Sequence, residues 1–407
     1  GDENTALGKS ALGANTTGEY NTAVGKSALF SNTTSSNNTA VGRNSLYSNT
    51  TGANNVAVGT NALDANQTGE KLTAVGSNAL GANTASQNTA MGYYALSNNT
   101  TGSTNTAIGV QAMHQTTTSS RGTAVGHFAL DNTNTGDRNT AIGFQALTGN
   151  TSGYYNTAVG DAALEANTEG FYNTAVGQAA LGQNTNGNNN VSVGALTLDS
   201  NTTGSENTAM GYAALSTNTT GDDNTCIGSA AGYEISTGSN NLCLGKQAGR
   251  TASPSGVLNT DSNVVCLGNN NIAALFCKVS TIQTSDLRDK TDVTDFKHGL
   301  SWVEKLRPIT YRWDMRSNYE DGVPDGSKKE QKLHLGFIAQ EELEVEKEHG
   351  FANDKNDMLL VHENNNGNYG MHYDRLVPIL VNAIKELSAK NDVLVSEIEQ
   401  LKSQLNN

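Results

Sequence analysis

The sequence predicts a mainly β protein: a trimeric β-solenoid or β-roll shaft of 17-residue repeats, then a small α+β domain and a C-terminal coiled coil. Three observations predict it. One motif recurs through the first 245 of 407 residues. The charge density changes near residue 284. Apolar residues close to the C-terminus fall into a heptad.

The repeat reads N-T-A-V-G-x-x-A-L-x-x-N-T-T-G-x-x. Its glycine recurs at Gly8, Gly25, Gly42, Gly59 and Gly76, and after one step of 16 it continues from Gly92 to Gly245. An irregular last copy ends at Gly268 after a step of 23. A strict short period with Gly and Asn in fixed places predicts one coil per repeat, with strands stacked about 4.8 Å apart in a rod roughly 70 Å long. Glycine in its slot allows a corner where a Cβ would clash or φ is positive. The Asn column (Asn15, Asn32, Asn49, Asn66) tolerates left-handed turns and can form amide ladders. The slot before Val is small (Ala23, Ala40, Ala57, Ser192, Cys226, Cys243, Cys266), and the next is a bulky aliphatic (Val24, Met91, Ile108, Leu244). Neighbouring strand residues face opposite sides. One face therefore packs bulk, and the other invites close approach by another chain. Each coil offers only about four apolar side chains to offset the ordering of its backbone. Several rods sharing one core are expected, most simply three parallel chains in a homotrimer.

Residues 1–284 carry 16 acidic and 9 basic side chains, and residues 285–407 carry 23 and 16. The shift divides the chain into a repeat shaft (1–245), a transition holding the last repeat and a strand at Ile272–Val279 (246–284), an α+β domain (285–378) and a coiled-coil helix (379–407). Within the second part, GLSWVEKL (299–306) has helical apolar spacing and RPITYRWD (307–314) reads as a strand. Residues 315–331 form a polar loop. HLGFIAQE (334–341) is a buried strand entering a Glu-rich helix whose run 341–348 is a solvated face. MLLVH (358–362) and YGMHY (369–373) make a hairpin. In the last helix Val377, Ile384, Asn391, Ile398 and Leu405 take one core position, and Leu380, Leu387, Leu394 and Leu401 the other. The expected coiled-coil core is Ile384, Leu387, Asn391, Leu394, Ile398 and Leu401. Isoleucine, leucine and a buried Asn in these places favour two strands, against the three expected from the shaft, and both readings stand open.

Several functions are disfavoured. A net charge of −14 with no basic block argues against nucleic acid. No apolar run reaches the length of a membrane span, and GDENTALG is not a signal peptide. Gly1 is not an initiator Met, which points to a fragment or a processed form. His334, His362 and His372 sit on separate elements without ligand spacing, and the cysteines read as stacked small side chains, so no metal and no cofactor is expected. The N-x-T triplets follow from the repeat rather than from glycosylation. One Thr per coil is a poor ice-binding lattice.

The repeat resembles the heads of trimeric bacterial surface adhesins, with their N-S-x-A-I-G coils, and repeats of bacteriophage tail fibres. Four blocks of the second part carry another resemblance: Ser285-Asp286 with Lys290, L-R-P-I-T-Y (306–311), H-L-G-F-I-A-Q-E (334–341) and Y-D-R-L-V-P-I-L-V-x-A-I-K-E (373–386). They resemble the C-terminal intramolecular chaperone domain of phage tailspikes and tail fibres, the endosialidase type that cuts itself off. The resemblance implies Ser285 as nucleophile, Lys290 as its base and a cut between Thr284 and Ser285, in a serine endopeptidase acting once in cis. A lysine serves as base if desolvation in the assembled trimer lowers its pKa. Asp289 stands where the family commonly has an apolar residue and Thr291 where it has a second Lys. An acid beside Lys290 opposes the base role.

The resemblance implies a virion tail fibre that binds a host cell-surface receptor, such as a glycan, and joins other tail proteins, with no enzymatic activity in the shaft and no membrane insertion. The alternatives are a trimeric bacterial adhesin head and a glycan-degrading tailspike. Exposed tyrosines between coils (Tyr20, Tyr154, Tyr155, Tyr172) are candidates for stacking on sugars.

Overall fold

A computed structural model describes residues 1–407 apart from 134, 252, 254, 273–289, 317–318, 320–322, 364–366 and 406–407. The chain divides into two compact units, Gly1–Ala273 and Ala274–Asn407.

The first unit is a β-solenoid. Sixteen three-residue strands, β1 (Thr5–Leu7) to β16 (Val265–Leu267), form one parallel sheet in sequence order. Each pairs in register with the next, as in Thr22↔Thr39, Ala23↔Ala40 and Val24↔Val41. The irregular last copy keeps the pattern, with Cys243 opposite Cys266. Gly25 shows why the corner is glycine. Its φ is 132°, and a Cβ there would lie 2.5 Å from the carbonyl oxygen of Gly42 in the next coil.

The core lies inside each coil. Ala23, Ala28 and Leu29 are fully buried, and the same three slots are buried through most of the rod. The small slot therefore faces inward against its own coil, and the bulky aliphatic faces outward. This corrects the expectation that the small face meets another chain. The reason is the narrow cross-section: a leucine from the turn already fills the space opposite the strand, so only Ala, Ser or Cys fits there. The outward column (Leu7, Met91, Ile108, Ile142, Met210, Ile227, Leu267) is exposed.

Two buried amide ladders complete the core. Asn32 Nδ2 donates to Asn15 Oδ1 at 3.0 Å and to the Ser35 carbonyl at 2.9 Å. Asn49 repeats this on Asn32, and Asn66 on Asn49. In the second column the Asn38 N–H donates to Asn21 Oδ1 at 3.0 Å, and Asn38 Nδ2 donates to the Gly52 carbonyl. Buried amides satisfied from coil to coil supply what the scarce apolar area does not. The ladder was expected, but left-handed turns at these asparagines were not found. Positive φ falls instead on the slots of Tyr20, Ser27 and Leu29. The Leu29 N–H is thereby free to donate to the Ser45 carbonyl of the next coil at 3.0 Å. That bond and complete burial hold a leucine in a region costing about 1–2 kcal/mol.

The second unit is small and mixed. Helix α1 (Leu300–Val303) precedes an antiparallel pair, β17 (Ile309–Tyr311) and β18 (His334–Gly336). Helix α2 (Ala339–Glu348) leads to a second antiparallel pair, β19 (Val361–Glu363) and β20 (Tyr369–Met371). Helix α3 spans Leu376–Leu405. The hairpin read at 358–373 and the C-terminal helix fall where their patterns place them, and the helix read at 299–306 is shorter, Leu300–Val303. The strand at 334–341 is shorter and less buried than expected, for Leu335 is 76% exposed. Of the strand read at Ile272–Val279, Ile272 is not in a strand, and the rest lies outside the described residues. No described helix is long and apolar enough to cross a membrane.

Candidate assembly and self-cleavage site

Trp302 on α1 is fully buried against Leu360, Leu376 and Ile379. Its indole N–H donates to Glu342 Oε1 at 2.8 Å. Glu342 and Glu346 lie one turn apart on α2, and both are buried. Glu346 accepts the backbone N–H groups of Leu359, Leu360 and Val361 at 2.9, 2.6 and 2.7 Å. It fastens the entry of β19 to α2. Burial pushes the Glu342 carboxyl up to about 7, the nearby Glu346 adds to the rise, and the indole bond opposes it.

The run 341–348 is therefore not wholly a solvated face. Glu341 and Glu348 are exposed and pair with Arg307 and Lys305, while Glu342 and Glu346 belong to the core. One sequence signal was available. Between Ala339 and Glu348 the only bulky apolar residues are Leu343 and Val345, which cannot line a helix face, so some glutamates had to turn inward.

The expected histidines stay apart from any metal-like grouping. His334 stacks on Tyr311 and lies 3.5 Å from Glu330. His362 and His372 pack ring to ring at 4.8 Å. Among the described residues no group of His, Cys, Asp or Glu could hold a metal ion. Cys226, Cys243 and Cys266 are buried free thiols in one column.

Of the expected cleavage residues, Thr284 and Ser285 lie outside the described residues. Lys290 is exposed in the single chain. Downstream of it, Phe296 joins the Trp302 cluster, and Asn382 and Glu386 of α3 hold the backbone at 296–300.

Helix α3 has two faces. Leu376, Ile379 and Ala383 are buried in their own unit. Val377, Leu380, Ile384 and Leu387 are exposed on the other face. From Leu387 to Leu405 every residue is exposed, including Asn391, Leu394, Ile398 and Leu401. Within one chain the heptad seam is thus entirely open.

Residues 285–351 match the family described as chaperone of endosialidase. No curated protein and no solved structure matches the chain. The molecule thus joins a β-solenoid to a segment of the endosialidase-chaperone type. The matched span begins at Ser285, takes in α1, β17, β18 and α2, and ends at Phe351, before α3.

Proposed function

We propose that this is a phage tail-fibre or tailspike protein whose C-terminal part assembles three chains and then cuts itself from the shaft. The observation that carries the reading is the family match beginning at residue 285, the residue read as the nucleophile. Two open apolar surfaces support assembly. One is the outward aliphatic column of the solenoid, and the other is the seam of α3 at Ile384, Leu387, Leu394, Ile398 and Leu401. The solenoid column, and the seam as far as Ile384, back onto faces already buried in their own chain, whereas from Leu387 onward α3 is exposed all round. In-register parallel copies present the same column at every level, so further copies of this chain are the fitting occupants.

In the proposed cut, Ser285 Oγ attacks the Thr284 carbonyl carbon while neutral Lys290 Nζ takes the hydroxyl proton. The Thr284–Ser285 C–N bond breaks, the proton passes to the Ser285 nitrogen, and an ester to Ser285 Oγ remains. Water hydrolyses that ester, leaving a Thr284 carboxylate and a free Ser285 hydroxyl. A lysine is a base only when neutral, and in the proposed route the desolvation of Lys290, which is exposed in one chain, comes with assembly.

For receptor contact the proposed patch is Tyr154, Tyr155, Phe171 and Tyr172, stacked between adjacent coils at 5.0 Å in two columns. Neighbouring coils hold Asp137 and Arg138, or Asn188 and Asn189, in the same slots and close just as well. These rings are not needed by the fold. Tyr20 is exposed alone, without such neighbours in its column.

Intact-mass analysis of freshly expressed chains tests the central reading. Wild type yields a fragment from Ser285 to Asn407, Ser285→Ala and Lys290→Ala stay whole, and sedimentation gives the mass of three 42.6 kDa chains before cleavage. Equal processing of all three proteins discards the dyad. A two-chain mass discards the trimer.

A further inference from the structure

The back of α3 carries two polar side chains aimed at the chain just downstream of Lys290. Asn382 Nδ2 donates to the Phe296 carbonyl at 2.6 Å and reaches the His298 carbonyl at 3.4 Å. Glu386 Oε2 accepts the N–H of Leu300 at 3.0 Å. Between these bonds Gly299 lies so near the helix that a Cβ would sit 2.6 Å from the Ala383 nitrogen. Phe296 packs beside Trp302, Leu376 and Ile379. The stretch 296–300 is thus pinned at both ends to one turn of α3, and its first residue follows Lys290 by only six positions.

On the same turns, the opposite face of α3 is the open seam of Leu380, Ile384 and Leu387. We propose that Asn382 and Glu386 are positioning residues for self-cleavage, which make the place of the Lys290 segment depend on whether α3 has found its partner helices. The inference rests on the self-cleavage reading above. In this proposal the seam, once filled, adds a second restraint on α3 beyond the packing of Leu376, Ile379 and Ala383, and what the back of the helix holds is restrained with it. Once the seam is packed, α3 is fixed, and 296–300 is fixed through the bonds that the Asn382 and Glu386 side chains make to its backbone. A general base must stand within hydrogen-bond reach of the hydroxyl it deprotonates. A displacement of about 1 Å costs on the order of 100-fold in rate. The two polar residues therefore convert association at the front of the helix into alignment behind it.

The test uses the full chain, with cleavage followed by intact mass over time across a pH series and assembly followed by sedimentation. Glu386→Gln keeps an acceptor for the Leu300 N–H and cleaves at close to the wild-type rate. Glu386→Leu removes the acceptor and cleaves about 10–100-fold more slowly as a trimer. Asn382→Asp keeps the shape but faces two carbonyls with an acceptor, and slows cleavage likewise. In the slowed variants the midpoint of the pH–rate profile moves, because the surroundings of Lys290 loosen. A purely structural role lowers the amplitude and leaves the midpoint in place. If a slowed variant fails to trimerise, Glu386→Asp decides, since it keeps the charge and withdraws the carboxylate by one methylene. It is expected to be intermediate, and wild-type behaviour there counts against the proposal. Trimers of Glu386→Leu or Asn382→Asp with wild-type rate and midpoint overturn the inference alone. A wild type that trimerises and stays whole overturns the cleavage reading and this inference with it.

Discussion

The inner amide ladder is interrupted at Thr116 and Thr133, and repairing it there should stiffen the shaft. From Asn167 to Asn218 each amide donates to the one before at 2.8 Å. At the break, Thr116 and Thr133 occupy two successive rungs. Asn99 Oδ1 and Thr116 Oγ1 are buried without a partner, and Asn150 Nδ2 reaches Thr133 Oγ1 only at 3.4 Å. An orphaned buried acceptor costs about 1–3 kcal/mol, and a made bond contributes about 1. Thr116→Asn gives Asn99 Oδ1 its donor and should stabilise the local coil by about 1–2 kcal/mol. Adding Thr133→Asn puts a full amide–amide bond between rungs 116 and 133, where either single variant has only an amide-to-hydroxyl contact of the long kind that Asn150 makes to Thr133. The double variant should therefore exceed the sum of the singles by about 1 kcal/mol. Solenoid coils open in nearest-neighbour units, so a global melt averages the effect away. Native-state hydrogen exchange of the full chain resolves it. The segment 113–135 should exchange roughly 10–100-fold more slowly in the double variant, while 167–218 stays unchanged. Unchanged exchange over 113–135, or a double variant no better than additive, would refute the claim that amide rungs hold the coils together.

Two further outcomes follow from named groups. Glu342 has a folded pKa of about 7 against an ordinary 4.5, so between those values the folded chain keeps a proton that the unfolded chain has released. Its contribution is full below about pH 4.5 and is lost as pH rises to about 7, by at most about 3 kcal/mol. Glu342→Gln still accepts the Trp302 N–H, and denaturation of the second unit across that pH range should show a smaller decline than wild type; an equal decline would remove Glu342 as its source. On the shaft, Tyr155→Ala with Tyr172→Ala should reduce binding to an array of bacterial surface polysaccharides by at least about tenfold while leaving shaft melting within about 2 °C. Retained binding would mean that the aromatic patch is not the receptor contact.

The sequence made the solenoid legible because its constraints are local and repeated. Gly25 fails as any other residue on backbone grounds alone, and the same failure recurs coil after coil. The heptad of α3 was legible for the same reason. Direction was harder to read. Alternation separates Ala23 from Val24 but does not say which one faces in, and the burial of Leu29 from the opposite turn decides it. That leucine sits at positive φ, a conformation no propensity assigns to Leu. Glu342 and Glu346 were hidden because their partners, the Trp302 indole and the N–H groups of Leu359 to Val361, are distant in sequence, so their burial depends on tertiary contacts that composition does not carry.

The repeat also supplies its own controls, which bear on where function lies. A slot that keeps one character in nearly every coil answers to the coil or to something that runs its whole length. The inward Ala and Leu slots answer to the coil, since their own chain buries them. The outward aliphatic slot is conspicuous because its own chain does not bury it, yet it stays apolar from Leu7 to Leu267. Water gives no reason for that persistence, whereas a parallel neighbour gives one at every level. A slot that varies freely except in two adjacent coils, as at Tyr154 and Phe171, answers to something met at one height only. Length-wide apolar constancy and single-height aromatic identity thus separate the surface fit for other copies of this chain from the surface fit for a foreign ligand, and a partner that covered both would erase the distinction on which the two roles rest.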